Sequence, residues 1–166
     1  MCWEKKRSAN PVGQIVLSLF GQWNPETAEF SDSICTALQL VNFWQDVAVD
    51  VLKGRIYLPQ EDMRAFGVGD DDIAHKHFTS AFHDLMVYEV HRTLKLFLKG
   101  ERLIPLLHGR LKIEISWVIT SGKSVLKRIV ANDFDVFEKN NSLKAIHHTL
   151  NLLSALQEWM TSVIWQ

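Results

Sequence analysis

Cysteine is scarce in this sequence of 166 residues, and the two that occur, Cys2 and Cys35, form no CxxC pair. Small secreted domains are usually dense in disulfides because they cannot build a sufficient core, so this chain does not fit that class. Isolated thiols in apolar or helical surroundings fit a reducing compartment better than a secreted one. We therefore expect a cytoplasmic protein.

Long apolar runs and an excess of charge of either sign are also missing. Polar residues interrupt every apolar stretch before the roughly 20 residues that a membrane span needs, so the chain is not expected to cross a bilayer. With 18 basic and 19 acidic residues, the formal net charge is −1. This balance offers neither a basic face for a nucleic-acid backbone nor a strong field toward an acidic membrane. We expect no nucleic-acid partner.

What the sequence does contain is a helical pattern. Hydrophobic residues make up 47% of it, enough for a substantial core, and we expect residues 1–166 to form a single domain. Asn10-Pro11 and Asn24-Pro25 each place a capping side chain before a proline at the first helical position. Amphipathic spacing predicts long helices over about 11–20, 25–52, 79–99, 111–130 and 142–164, with short ones after Pro59 and Gly69. No alternating strand pattern stands out, so the prediction is an all-α helical bundle.

The candidate site begins on the second predicted helix, whose polar residues fall on one narrow face. At 100° per residue they lie within about 80° of one another. They are Gln39, Asn42, Asp46, Asp50 and Lys53. The rest of this helix is apolar nearly all round, which predicts packing partners on its other sides. The polar stripe is therefore expected to face inward or into a cavity.

The chemistry of this stripe predicts a magnesium diphosphate site. Two carboxylates one turn apart, here Asp46 and Asp50, are costly to remove from water unless a cation lies between them. Oxygen donors alone suit Mg²⁺, which typically combines one or two carboxylates with substrate phosphates. Lys53, Arg55 and Tyr57 follow directly, where they can grip phosphate oxygens. The alternative is an ordinary solvated helix face, which an isolated Asp pair at i and i+4 usually marks.

Other clusters predict less. His75, His77 and His83 do not share one helical face, and no cysteine or carboxylate completes a tetrahedral zinc set. The acidic run 70–72 stands at a predicted helix start, where capping is favoured over metal binding. The helix predicted over 142–164 is expected to pack on the bundle, with peripheral contact at a membrane interface as the alternative.

The segment 39–59, QLVNFWQDVAVDVLKGRIYLP, resembles the second aspartate-rich motif of squalene and phytoene synthases. Two further segments are similar to that family. Residues 8–13, SANPVG, resemble its helix lining the prenyl-chain pocket, and residues 124–137 resemble its late helix and following turn. The resemblance covers most of residues 7–138. It implies the all-α isoprenoid synthase fold, with this chain corresponding to the C-terminal part and lacking the helix of the first aspartate motif.

The resemblance also implies roles for individual residues. Asn42, Asp46 and Asp50 would hold Mg²⁺ on the diphosphate of a prenyl diphosphate substrate. The resemblance implies catalytic roles for Asp46, Asp50, Arg55 and Tyr57, the last two by contacting phosphate or shaping the pocket. The residues that would bind the substrate are Gln39, Asn42, Gln45, Lys53 and Lys139. For Lys139, a solvated lysine at a helix end is the alternative. The residues that would line the prenyl tunnel are Ala9, Val12 and Gly13.

Departures from the family pattern favour one branch. Val49 stands where many relatives carry an acid, Gln45 where many carry Arg, and Gly122 where a late-helix Tyr is common. These choices look most like the hopanoid-pathway branch of squalene and hydroxysqualene synthases. The implied activity is conversion of presqualene or farnesyl diphosphate to squalene or hydroxysqualene with release of diphosphate. The implied partners are companion enzymes of that route.

Two alternatives to this activity stay open. One is phytoene synthase, which performs sister chemistry. The other is a non-catalytic scaffold protein of the same fold, because a diphosphate clamp needs carboxylates from both sides of the cavity. We accordingly expect this chain to be inactive alone or to depend on a partner polypeptide.

Overall fold

The computed structural model describes residues 9–137, which fold into α-helices joined by short connections. The six α-helices are α1 (Asn10–Leu19), α2 (Pro25–Asp50), α3 (Gln60–Phe66), α4 (Asp70–Ala74), α5 (Ser80–Gly100) and α6 (Gly109–Ala131). Two 3₁₀ turns, Val51–Lys53 and Glu101–Leu106, extend α2 and α5. No strand occurs among residues 9–137. The predicted all-α class is confirmed. The helix predicted over 142–164 lies outside the described residues.

The ends of α2 follow from local chemistry, as predicted. Oδ1 of Asn24 accepts a hydrogen bond of 2.9 Å from the amide of Thr27, and Oγ1 of Thr27 accepts one of 2.9 Å from the amide of Asn24. This reciprocal pair, with Pro25 in the first turn, satisfies amides that a helix start leaves without partners. Gly54, at φ 68°, ends the 3₁₀ turn in a left-handed conformation that suits glycine.

The predicted cap of α1 is wrong. Asn10 is the first residue of the helix and Ala9 occupies the capping position, with no side-chain cap. The Asn10 side chain is buried, and its Oδ1 accepts a hydrogen bond of 3.3 Å from Oγ1 of Thr36 on α2. The side chain that the local pattern assigned to capping is therefore hydrogen-bonded to a residue distant in sequence.

Helix α2 lies at the centre of the fold and packs against α1, α5 and α6. Its largest core residue, Trp44, is fully buried beside residues of α5. Close approach of α6 depends on Gly122, where an added Cβ would lie 2.5 Å from Cζ of Phe97 and 3.1 Å from Cδ2 of Leu38. Gly122 is thus a point of tight contact between α6 and its neighbours.

Among residues 9–137, no helix could span a membrane, and the acids and histidines around α4 make local contacts. No described helix combines the length and the apolar character that crossing a membrane requires. At the start of α4, Oδ2 of Asp72 accepts a hydrogen bond of 2.9 Å from the amide of Gly69, so this acid caps the helix as predicted. The rings of His75 and His77 stack with centroids 5.5 Å apart.

Candidate functional site

A mainly apolar cavity of about 340 Å³ lies between α1, α2 and α6. This volume is at the lower end of the range typical of small-molecule sites, about 300–1,000 Å³. Of the three residues predicted to line a prenyl tunnel, Val12 and Gly13 of α1 line this cavity and Ala9 does not. The α2 residues that line it lie on one face of the helix. They are Ser31, Ile34, Cys35, Leu38, Val41 and Asn42.

Asn42 joins the cavity to the predicted acidic stripe. It is the last α2 residue to line the cavity, and Asp46 and Asp50 follow it one and two turns along the same helix, about 6 and 12 Å farther on at 1.5 Å per residue. All three side chains are partly buried. The structure therefore places an apolar cavity and a pair of acids end to end along α2.

The carboxyl of Asp46 is electrostatically strained. Partial burial raises its pKa above the ordinary value of 3.8, the neighbouring charge of Asp50 raises it further, and Lys53 acts in the opposite direction. An ionised carboxylate in this position gains from any cation placed beside it, because a cation offsets both the desolvation and the repulsion.

Lys53 lies next to the second acid. Its Nζ is 3.6 Å from Oδ1 of Asp50, and the lysine side chain is 56% exposed whereas that of the aspartate is 14% exposed. A contact of this length with a mostly solvated lysine contributes little to stability. Lys53 is therefore free to move toward an incoming anion at small cost.

The turn after α2 carries the other predicted phosphate contacts. The amide of Arg55 donates a hydrogen bond of 3.0 Å to the carbonyl of Asp50, which folds the chain back beside the end of the helix. The Arg55 side chain is exposed. Tyr57 stacks on Phe43 of α2, with ring centroids 4.5 Å apart and planes within 6°. The stack positions the connecting segment against α2.

The two glutamines of the motif differ in their surroundings. Gln39 is partly buried, and Gln45 is 3% exposed. Neither lines the cavity. Substrate binding by Gln39 and Gln45 therefore stays a prediction. Lys139, the other predicted substrate contact, lies outside the described residues.

Several cavity residues were not singled out from sequence. Ser31 and Cys35 lie on the cavity face of α2, and the helical period that placed Asn42 could have found them. Burial raises the pKa of the Cys35 thiol to about 11, so the thiol stays protonated at neutral pH. Arg110, Glu114 and Ser121 of α6 also line the cavity. No local signal connects them to α2, because only tertiary packing brings α6 there.

The donor set fits part of a Mg²⁺ site. Two carboxylates and the Asn42 amide offer oxygen donors along one face of α2, and Mg²⁺ typically completes such a set with water and phosphate oxygens. Among residues 9–137, no group of three or more His, Cys, Asp or Glu side chains could hold a metal ion by itself. The Asn42 amide and the carboxylates of Asp46 and Asp50 are thus chemically compatible with part of such a site.

Comparison with known proteins agrees with this architecture. A family model described as squalene/phytoene synthase matches residues 6–147. The chain is 28% identical over 138 residues to phytoene synthase 1, chloroplastic, of Solanum lycopersicum, and the match covers 79% of this chain and 33% of that protein. It is 33% identical over 108 residues to phytoene synthase of Mycobacterium tuberculosis, and this match covers 63% of this chain and 36% of that protein.

Two solved structures resemble the fold. Squalene synthase HpnC from Alicyclobacillus acidocaldarius superposes with a TM-score of 0.77 at 37% identity, covering 79% of this chain and 50% of that chain. A dehydrosqualene synthase in complex with ligand superposes with a TM-score of 0.63 at 23% identity, covering 81% and 47%. The predicted isoprenoid synthase fold is confirmed, and the chain spans half or less of the length of these relatives.

Proposed function

The chain belongs to the squalene/phytoene synthase family, and we propose that it supplies one side of a Mg²⁺-dependent, prenyltransferase-type active site that binds a prenyl diphosphate. The observation that carries this proposal is Asn42, where the apolar cavity and the acidic stripe meet. A prenyl diphosphate has the same two-part character, an apolar chain and a polyanionic head. The chain would occupy the cavity, and the head would lie at Asp46 and Asp50.

The proposed roles of the residues follow from the chemistry of their side chains. Asn42, Asp46 and Asp50 would hold Mg²⁺, which when bound neutralises charge on the diphosphate and so assists its departure. Lys53 and Arg55 are cations at the end of the same helix and would receive the leaving diphosphate. The mainly apolar walls of the cavity would enclose the allylic cation left behind and limit its contact with bulk water.

For the product we propose squalene or hydroxysqualene, formed from farnesyl or presqualene diphosphate. The 37% identity and TM-score of 0.77 with squalene synthase HpnC support this branch. Phytoene synthase is the second candidate, supported by curated relatives that bear that name at 28% and 33% identity. The two differ in the length of the prenyl chain that the cavity must hold.

Activity would depend on more than the described residues. Two carboxylates on one helix make half of a diphosphate clamp, because charge on the departing group must be met from both sides. We propose that the other acids come from outside residues 9–137 or from a partner polypeptide. We further propose a cytoplasmic location with peripheral membrane contact, alongside companion enzymes of the squalene or hopanoid route.

The test is thermal unfolding, with Mg²⁺ and a non-hydrolysable prenyl thiodiphosphate, of the protein together with the segment or partner polypeptide that supplies the other acids. Ligand binding at concentrations far above Kd should raise Tm by several degrees. Asp46→Asn should abolish the rise. Glu29→Gln, which removes an exposed acid elsewhere on α2, should keep it. An equal rise in Asp46→Asn would remove Asp46 from the site, and no rise in the native protein would favour the scaffold alternative.

A further inference from the structure

The long axis of the cavity follows α2, because contacts between the helices fix how α1 and α6 run alongside it. Asn10 is hydrogen-bonded to Thr36 and Gln14 to Asp32, so α1 runs antiparallel to α2. Gly122, just past the middle of α6, meets Leu38, while His108, just before α6, lies beside the turn that precedes α2. The cavity therefore runs from Asn42 toward the start of α2, over 11 residues from Asn42 to Ser31 or about 16 Å.

The far end of the cavity is polar. Gln22 bridges the turn after α1 to the start of α6, donating from Nε2 to the carbonyl of His108 at 3.3 Å and accepting at Oε1 from the His108 amide at 3.0 Å. Beside this bridge, Arg110 pairs through Nε with Oε1 of Glu114, and both residues line the cavity. The apolar walls thus end at an ion pair.

The ion pair makes this end unfavourable for an apolar chain. The Glu114 side chain is only 31% exposed, so a chain end packed against it would displace the remaining water from a carboxylate, which is costly. Methyl groups that extend past the pair into solvent would gain no burial. Of two extended chains that both start at Asn42, a geranylgeranyl chain is longer than a farnesyl chain by one isoprene unit and therefore extends farther toward this pair.

We propose that the Arg110–Glu114 ion pair limits the length of prenyl chain that the cavity accepts and so selects farnesyl over geranylgeranyl chains. This inference rests on the proposed function, since it assumes that the cavity holds a prenyl chain. It assigns a specificity-determining role to residues of α6 that lie about three turns of helix from the acidic stripe.

The test uses neutral alcohols, farnesol and geranylgeraniol, without Mg²⁺, so that only the chain-binding cavity is measured. Calorimetric titration of the full chain gives the two affinities and their ratio. Arg110→Met/Glu114→Leu should shift the ratio about tenfold toward geranylgeraniol, because about two further methylene groups become buried. Glu114→Asp keeps the charge and should leave the ratio at its native value. Lys112→Leu adds apolar surface at an exposed α6 position outside the cavity lining and should also leave the ratio unchanged.

Four outcomes would overturn the inference. A ratio within twofold of native in Arg110→Met/Glu114→Leu, with farnesol still bound, would show that the pair does not select chain length. An equal shift in Glu114→Asp would assign the effect to shape rather than charge, and an equal shift in Lys112→Leu would assign it to surface apolarity. Binding of neither alcohol would remove the cavity as a chain site. Loss of the Mg²⁺ and thiodiphosphate stabilisation with farnesol binding intact would instead count against the proposed function alone.

Discussion

The indole Nε1 of Trp44 donates a hydrogen bond of 2.9 Å to Oγ1 of Thr93, and both side chains are fully buried between α2 and α5. The Thr93 hydroxyl in turn donates to the backbone carbonyl of Glu89 at 2.7 Å. Buried polar groups are almost always paired in this way, since a lost partner is not replaced by water. These bonds hold the face of α2 that is turned away from the acidic stripe.

Thr93→Val should lower the free energy of unfolding by about 1–3 kcal/mol, because it leaves the buried indole N–H without its acceptor. Trp44→Phe should also destabilise, through lost packing as well as the lost bond. The double variant should lose about 1 kcal/mol less stability than the sum of the two single losses, which is the coupling expected of residues in contact. Urea denaturation of the four proteins measures this, and strict additivity would show that the bond contributes nothing.

Asp46→Asn should stabilise the protein in the absence of Mg²⁺ and diphosphate. The folded-state pKa of Asp46 is raised, so ionisation is harder in the folded state and native stability falls as pH rises from 3.8 through the folded pKa. The amide cannot ionise and avoids this loss. We expect a gain of less than about 1 kcal/mol at pH 7, since solvent screens a half-buried group.

The pH dependence distinguishes this cause from general repacking. The difference between Asp46→Asn and native protein should vanish at pH values below 3.8, the ordinary pKa of the group, because both side chains are then neutral. Urea denaturation at several pH values gives the difference directly. A gain that stays constant across that range would mean that ionisation of Asp46 is not its source.

Removing the cation of the Glu89–Arg92–Asp62 network should cost more stability than removing the cation and the buried charge of Glu89 together. Glu89 is fully buried, and NH1 of Arg92 lies 3.4 Å from its Oε1 and 2.8 Å from Oδ2 of Asp62. Arg92→Met should cost about 3 kcal/mol, because it leaves a buried carboxylate without its guanidinium partner. Adding Glu89→Gln should recover much of that loss. Stability measured by denaturation decides this, and a double variant no more stable than Arg92→Met would contradict it.

Gly122→Ala should destabilise despite the better helix propensity of alanine. Propensity alone predicts a gain of about 1 kcal/mol, but the new methyl group would lie 2.5 Å from Cζ of Phe97. Overpacking of this kind typically costs about 1–3 kcal/mol. Phe97→Leu shortens the opposing side chain and should reduce the cost of Gly122→Ala when the two are combined. A net gain in the single variant, measured by thermal unfolding, would show that α6 can move away at no cost.

The helices of this protein were predictable because their start and stop signals act within one or two turns. The Asn24 cap, the proline at Pro25 and the left-handed Gly54 each involve neighbours in sequence. The Asn10 cap was wrong for the opposite reason. Its side chain found Thr36, 26 residues away, and a contact at that distance leaves no mark on the local pattern.

The candidate site divides in the same way. Helical periodicity alone placed Asn42, Asp46 and Asp50 on one face of α2, because all three belong to one continuous helix. Residues on separate helices needed the fold. Arg110 and Glu114 reach the cavity because α6 packs along α2, and that packing depends on the bare backbone at Gly122.

By itself the sequence determined the helical class, the bounds of α2 and the order of the groups along its polar face, since each of these depends on interactions between near neighbours in the chain. The tertiary structure alone decided that Asn42 opens onto a cavity, that Asp46 is desolvated enough to raise its pKa, and that an ion pair stands at the far end. Burial and enclosure are properties of several helices packed together, and no single helix carries them.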